Sequence, residues 1–298
     1  MNFDITSYLE DKKKLVDQQL NIYLQPVKDE NTSLKQSIRY SLTSGGKRLR
    51  PILCLAGAEA VSGEFGNVLP VACAIEMIHT YSLVHDDLPA MDDDSLRRGK
   101  PTNHIVYGEA IAILTGDALL TEAFGIIVSE GKAKGLEPST LVEIIREITS
   151  AVGSDGMVLG QAIDLELEGR EGVEIETLKN MHTLKTGALI EASVVTGAMA
   201  GKADQRRIEH LREYSKCLGL AYQIIDDVLD VEGGESLGKK KGSDIRKSKA
   251  TYTSVLGVKR SRDLAAELTD NAVNSLSEFD GNTEPLKEIA YYLGKRRY

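Results

Sequence analysis

Tryptophan is absent from this chain of 298 residues, and proline and cysteine are scarce, at 7 and 3 residues. Prolines so few and scattered, with no stretch rich in Ser, Gly and Pro, exclude a linker-divided arrangement. They leave one domain over residues 1–298, long enough to bury a large core. Cys54, Cys73 and Cys217 are odd in number, far apart and set among apolar neighbours. That excludes a disulfide framework or a zinc site and predicts buried thiols in a reducing compartment. A net charge of −9 excludes a nucleic-acid surface, which needs clustered positive charge. The start, Met1-Asn2-Phe3-Asp4-Ile5-Thr6, lacks the basic and apolar regions of a secretory signal, and no segment reads as the roughly 20 apolar residues of a membrane span. A soluble cytoplasmic protein is expected. No Ser-His-Asp or Cys-His arrangement argues for a protein nucleophile.

What is present is helical periodicity. Apolar residues recur at three- and four-residue spacing, as in Ile52, Leu53, Leu55 and Ala56 or Ile111, Leu114, Ala118 and Leu119, and strand-like alternation is scarce. Gly45-Gly46, Gly63, Pro89, Gly99, Gly131, Gly135, Gly201 and Gly233-Gly234 mark the expected breaks, and Asp204 is placed to cap the helix after Gly201. Residues 70–88 and 215–231 are apolar on nearly all sides, as suits the centre of an all-α bundle. The segment 233–248, rich in Gly, Lys and Ser, reads as a lid.

Both of these apolar helices end in carboxylates. Asp86-Asp87-Leu88-Pro89-Ala90-Met91-Asp92-Asp93-Asp94 holds five in nine residues, and Asp226-Asp227-Val228-Leu229-Asp230 holds three more. Like charges so close repel, and in an apolar setting they call for a cation. Oxygen ligands without nearby Cys or His favour Mg²⁺. On a helix Asp226 and Asp230 share a face with Gln223, while Pro89 stops the first helix so that Asp92 can fold back toward Asp86. Cations complement them in three groups: Lys47, Arg48 and Arg50 after Gly45-Gly46, Arg97-Arg98-Gly99-Lys100, and Lys185-Thr186-Gly187 with Lys239 and Lys249. A basic group at a helix start is an anion site. Taken singly, each cation reads as surface charge and His79 as a core histidine. Taken together, two Asp groups on apolar helices and two basic groups describe a magnesium-diphosphate site over an apolar cavity, suited to an isoprenoid diphosphate.

At this point the chain resembles the trans-isoprenyl diphosphate synthases nearly end to end, most closely those of bacteria that form farnesyl diphosphate. His79-Thr80-Tyr81-Ser82-Leu83-Val84-His85-Asp86-Asp87 through Arg97-Arg98-Gly99 is similar to the family's first aspartate-rich motif, and Gln223-Ile224-Ile225-Asp226-Asp227-Val228-Leu229-Asp230 to its second. Gly45 to Pro51, Gly160-Gln161-Ala162-Ile163-Asp164, Lys185-Thr186-Gly187 and Gly238-Lys239 also fit. The resemblance implies an all-α isoprenoid synthase bundle with a central cavity, and a homodimer. It implies Asp86, Asp92 and Asp226 as magnesium ligands, supported by Asp87 and Asp230. Arg97, Lys185, Lys239 and Lys249 are implied at the allylic diphosphate, and Lys47, Arg50, His79 and Arg98 at isopentenyl diphosphate. Thr186 and Gln223 are implied to point oxygens at the allylic carbon. Gln161 and Asp164 are explained equally well by helix packing.

In this family the residues four and five places before the first Asp, here Ser82 and Tyr81, set the depth of the cavity. The aromatic Tyr81 resembles farnesyl-forming members. Helix geometry alone points elsewhere, because Tyr81 lies roughly 7.5 Å deeper than Asp86 but about 140° around the axis, which makes Ser82 the wall residue. The expected activity is therefore magnesium-dependent condensation of isopentenyl diphosphate with dimethylallyl or geranyl diphosphate to give farnesyl diphosphate. Alternatives are a geranylgeranyl diphosphate synthase, a terpene cyclase on the same fold, or a non-catalytic regulatory subunit. The last two fit poorly with two intact Asp pairs.

Overall fold

A computed structural model describes residues 3–24, 32–170, 172–232 and 249–296. Lys239 and the whole 233–248 segment expected to form a lid lie outside the described residues. The helices are α1 (Ile5–Tyr23), α2 (Ser33–Thr43), α3 (Leu49–Ser62), α4 (Leu69–Asp86), α5 (Asn103–Tyr107), α6 (Glu109–Ala133), α7 (Pro138–Val152) and α8 (Met157–Leu167). They continue with α9 (Ile175–His182), α10 (Ala188–Ala200), α11 (Gln205–Glu232), α12 (Tyr252–Leu256), α13 (Val258–Ser275) and α14 (Glu284–Gly294). A single π turn, Thr183–Gly187, joins α9 to α10. Among the described residues the only sheet is a hairpin, β1 (Leu96–Arg97) against β2 (Lys100–Pro101), closed by Arg98 and Gly99 at φ 53° and 76°.

Two helices without a polar face organise the bundle. α4 is buried at almost every position from Leu69 to Tyr81, begins with Pro70 near its N-terminus and stops at Asp86, three residues before Pro89. α10 is likewise buried along most of its length and crosses α3 so closely that glycine is needed on both sides. A Cβ on Gly57 would sit 2.4 Å from the Val194 carbonyl oxygen, and one on Gly197 would sit 1.9 Å from that of Cys54. One apolar core gathers around α4, α6 and α7, and a second around α3, α10, α11 and α14. A third lies under α8, α9 and α11. Asp204 caps α11 by accepting from the Arg207 amide, as its position predicts. Cys54 and Cys73 are buried, Cys217 is half-buried, and all three are free thiols.

Two expectations change. Gly131 does not break a helix but lies inside α6, where it admits the Leu141 side chain of α7. α6 itself is long and apolar enough to cross a membrane by length and composition, contrary to the reading that no segment is. Interspersed Asp117 and Glu122 hide that run in the sequence. One face of it packs along α4 and α2, while Ile113, Leu114 and Val128 on the other are exposed.

Candidate active site

Between α4, α8 and the π turn lies a cavity of about 360 Å³, lined on the α4 side by His79, Tyr81, Ser82 and Asp86, and opposite by Met157, Gln161, Lys185 and Thr186. His79, Ser82 and Asp86 follow helical spacing and share one face. Tyr81 also reaches the wall, against the helix-geometry reading that left only Ser82 there. Its ring meets that of His85 edge to face at 5.8 Å. The His85 ring in turn occupies the space a side chain on Gly116 of α6 would need.

The first acidic segment divides its carboxylates between two jobs. Asp86 is half-buried and accepts no hydrogen bond among the described residues. Burial pushes its pKa up to about 6, against the pull of nearby Lys185. Asp92 folds back toward it, its amide donating to the Asp86 carbonyl at 2.8 Å, with Asp93 at φ 51° making the turn. Asp87, 3% exposed, faces the other way and holds Arg97 through contacts of 2.6 to 2.9 Å. The hairpin explains why adjacent arginines part company, since Arg97 ends β1 while Arg98 sits in the turn with left-handed backbone at φ 53°. Arg97 turns to Asp87, while Arg98 donates to the Gly45 carbonyl and lies against Gly46, where a Cβ would fall 2.5 Å from its guanidinium carbon.

In the second acidic segment Asp226 is exposed, with Arg296 at 3.6 Å, and Asp230 is half-buried. Asp227 is buried, accepting from the Gln223 amide at 3.0 Å and the Tyr252 backbone N–H at 2.8 Å. That fixes Gln223, whose carbonyl oxygen accepts from the Thr186 hydroxyl at 3.3 Å, so the second acidic helix touches the cavity through a residue that lines it.

A cluster of cations stands at one side. Arg50 lies 3.3 Å from the His79 ring, and its Nε is buried without a hydrogen-bond partner. Burial, reinforced by Arg50 and Arg98, holds His79 neutral, with its pKa well below the usual histidine range. Burial also lowers the pKa of Arg50, Arg98 and Lys47, and for Lys47 Arg296 adds to the effect. No carboxylate forms an ion pair with Lys47, Arg50 or Arg98 among the described residues; Lys47 and Arg98 are exposed to water, while Arg50 keeps its buried Nε free to meet an anion.

The remaining cations share one carboxylate. Asp164 of α8 accepts from Lys185 at 2.6 Å and Lys249 at 3.2 Å, and Lys249 also reaches Asp92 at 2.8 Å. Burial alone would raise Asp164, but the two lysines outweigh it and hold it below the ordinary carboxylate range. Gly160 lets the π turn come this close, because a Cβ there would sit 2.2 Å from the Lys185 amide nitrogen.

Among the described residues no three carboxylates or imidazoles converge tightly enough to hold a metal ion on their own. Magnesium keeps several waters and is usually bound by one or two carboxylates together with substrate phosphates, so bare Asp86 with neighbouring Asp92 fits it and a closed protein cage is not needed. Sequence reasoning left Asp164 open between the cavity and helix packing, and missed Asp227 and Arg296 as site residues. Asp164 follows Gln161 by one helical turn, which was the available signal. Arg296 is 8% exposed, stacks over Tyr222 at 4.5 Å and has two nitrogens without a hydrogen bond among the described residues, one of them in the ion pair with Asp226, yet nothing distinguishes it in a basic C-terminal run.

Residues 31–289 match the polyprenyl synthetase family. The chain is 46% identical over 296 residues to a geranylgeranyl diphosphate synthase of Cyanophora paradoxa, covering 99% of this chain and 97% of that protein. It superposes with a TM-score of 0.83 and 35% identity on a crystal structure described as a putative farnesyl-diphosphate synthase of Marinomonas sp. MED121, covering 99% of this chain and 100% of that one. A geranyltransferase of Helicobacter pylori, crystallised with magnesium and isoprenyl diphosphate, gives 0.85 and 30%, over 98% of this chain and 97% of that one. The two acidic segments, the cations beside them and the apolar cavity thus stand in an all-α prenyltransferase, and the chain belongs to the polyprenyl synthetase family of trans-isoprenyl diphosphate synthases.

Proposed function

We propose that this protein, read as one catalytic domain over residues 1–298, condenses isopentenyl diphosphate with allylic diphosphates and carries the product to geranylgeranyl diphosphate. One observation carries the condensation: Asp86, which accepts no hydrogen bond among the described residues, lines the same apolar cavity as Arg50, which forms no ion pair among them. Lys47, Arg50 and Arg98 would bind the isopentenyl diphosphate beside neutral His79. Lys185 and Lys249, aligned by Asp164, would grip the allylic diphosphate, as would Arg97 aligned by Asp87. Asp86 and Asp92, with Asp226 and Asp230 of the second acidic segment, would hold Mg²⁺, which when bound neutralises and stabilises a departing diphosphate. Positive charge then develops at the allylic carbon, where the Thr186 hydroxyl and Gln223 carbonyl, locked by Asp227, present oxygens. The alkene of isopentenyl diphosphate attacks that carbon, and the proton lost afterwards goes to the released diphosphate. The apolar wall excludes water that would otherwise quench the cation.

The name of the Cyanophora relative supports the longer product. A second reading, farnesyl diphosphate, rests on Tyr81 in the cavity wall. Incubation of purified protein with labelled isopentenyl diphosphate and dimethylallyl, geranyl or farnesyl diphosphate, with and without Mg²⁺, decides. A twenty-carbon product that needs Mg²⁺ is expected, an arrest at fifteen carbons selects the second reading, and no condensation with any primer refutes both.

The outer side of α6, with Ile113, Leu114 and Val128 exposed, would be covered by a second copy of the chain. A dimer by sedimentation, shifted to monomer by Ile113→Lys, is expected, and a monomeric wild type refutes this. Three free thiols support a reducing, cytoplasmic setting.

A further inference from the structure

Arg48 stands between two proposed substrate-binding cations, Lys47 and Arg50, and turns away from both. It is the N-cap of α3 in the left-handed region, at φ 53°, although it is neither Gly, Asn nor Asp. Its guanidinium is buried and fully engaged. Nε donates to Asp17 of α1 at 2.8 Å, Nη1 to Glu76 of α4 at 2.6 Å, and Nη2 to the Leu42 carbonyl near the end of α2 at 2.5 Å. One side chain therefore ties three helices to the residue that begins a fourth. A strained backbone of this kind persists only where its surroundings over-determine it, and here three hydrogen bonds, two of them ion pairs, do so.

Glu76 is the buried half of this arrangement, 1% exposed, and its Oε2 has no hydrogen-bond partner. It precedes His79 by one turn on α4, so it adjoins the diphosphate site from that helix as Arg48 does from the loop. Its charge also acts through space on Arg50 and Arg98. The cations proposed for the allylic diphosphate have other supports, since Arg97 rests on Asp87, and Lys185 and Lys249 rest on Asp164. The two diphosphate sites thus stand on separate buried carboxylate frames.

We infer that Glu76 and Arg48 are positioning residues that set Lys47, Arg50 and His79 for isopentenyl diphosphate without touching it, and that they act on that substrate alone. The inference rests on the prenyltransferase reading above. Its test is Glu76→Gln, which keeps an acceptor for Arg48 but removes the charge. A charge-assisted hydrogen bond of this strength predicts a rise of about tenfold in KM for isopentenyl diphosphate, with KM for the allylic substrate and kcat changed less than about twofold. The sign is diagnostic, because deleting a negative charge beside a cationic pocket would tighten diphosphate binding if Glu76 acted only as a charge. Asp17→Asn, at the more exposed partner, should move KM the same way by a smaller factor and guards against a Glu76 variant that does not fold. An isopentenyl diphosphate KM that is unchanged or lowered, or KM values for both substrates rising together with a fall in Tm, overturns the inference. Wild-type protein inert toward both substrates would instead remove the reading beneath it.

Discussion

Gly160→Ala is the sharpest probe of whether the π turn works as a rigid platform for Lys185 and Thr186. The added Cβ would lie 2.2 Å from the Lys185 nitrogen, 2.6 Å from its Cα and 2.8 Å from the Leu184 carbonyl carbon, where ordinary contact starts at 3.4 Å. All three atoms are backbone, so no side chain can swing aside. Either α8 or the turn must retreat by about 1.2 Å, the difference between those distances. Overpacking of this size costs about 1–3 kcal/mol of stability. It should cost the reaction more, because a displacement of about 1 Å at groups that hold reacting atoms removes about a hundredfold in rate. Steady-state kcat/KM with isopentenyl and geranyl diphosphates, beside thermal unfolding, measures both. Gly57→Ala and Gly197→Ala supply the control, since each drives a Cβ as close to a backbone carbonyl at the α3–α10 crossing, away from the cavity. They should lose stability while the folded fraction keeps kcat within a few-fold. Gly160→Ala with unimpaired kcat/KM, or a loss no greater than that of the controls, refutes the rigid platform.

Asp164→Asn leaves Lys185 and Lys249 without their shared counter-charge and should lower kcat/KM by about ten- to a hundredfold, the worth of charge-assisted hydrogen bonds, whereas a loss under about twofold would make Asp164 a packing residue. Tyr81→Ala opens the α4 wall of the cavity and should lengthen the product by at least one isoprene unit on chromatography, and an unchanged distribution removes Tyr81 as the residue that sets its depth. His182 is buried against Tyr252, and desolvation lowers its pKa to about 4, although Asp164 pulls the other way. Its folded pKa lies below the unfolded value near 6.5, so the unfolded chain takes up the proton first. Stability is complete above about pH 6.5 and falls as pH drops toward 4, by about 2 kcal/mol between pH 7 and 5. Denaturant titrations of wild type and His182→Phe at pH 7 and 5 should show that share missing in the variant, and equal pH dependence of the two refutes the assignment.

The helical class was legible because it rests on periodicity, and the acidic and basic motifs because their chemistry demands particular residue types at particular spacings. Less legible was the partition of those residues into ligands and supports. Asp86 and Asp87 are indistinguishable as letters, yet about 100° of helix rotation sends one to the cavity and the other to Arg97. Asp226 and Asp227 divide in the same way, the first exposed and the second fixed on Gln223 and Tyr252. Glu76 carried no special mark and Asp164 only its place in a motif that packing explains as well, because a buried carboxylate is identified by the cation it meets and that cation comes from a distant helix. Arg48 was grouped with Lys47 and Arg50 as one basic run, although left-handed backbone geometry separates it from both.

A common rule underlies these divisions. Asp87, Asp164, Asp227 and Glu76 each have donors in the fold itself, and each holds in place a group that borders the cavity or its flanking loop. Asp86, half-buried, has no donor among the described residues, and desolvation raises its pKa to about 6. A carboxylate so placed destabilises the empty protein near neutral pH by about 3 kcal/mol, since its ionised form is better solvated in the unfolded chain. The fold keeps that charge although an asparagine of equal size would relieve it. Bringing up a cation lifts the penalty, and the energy released belongs to binding, so the empty site is poised for the ion and diphosphate that complete it.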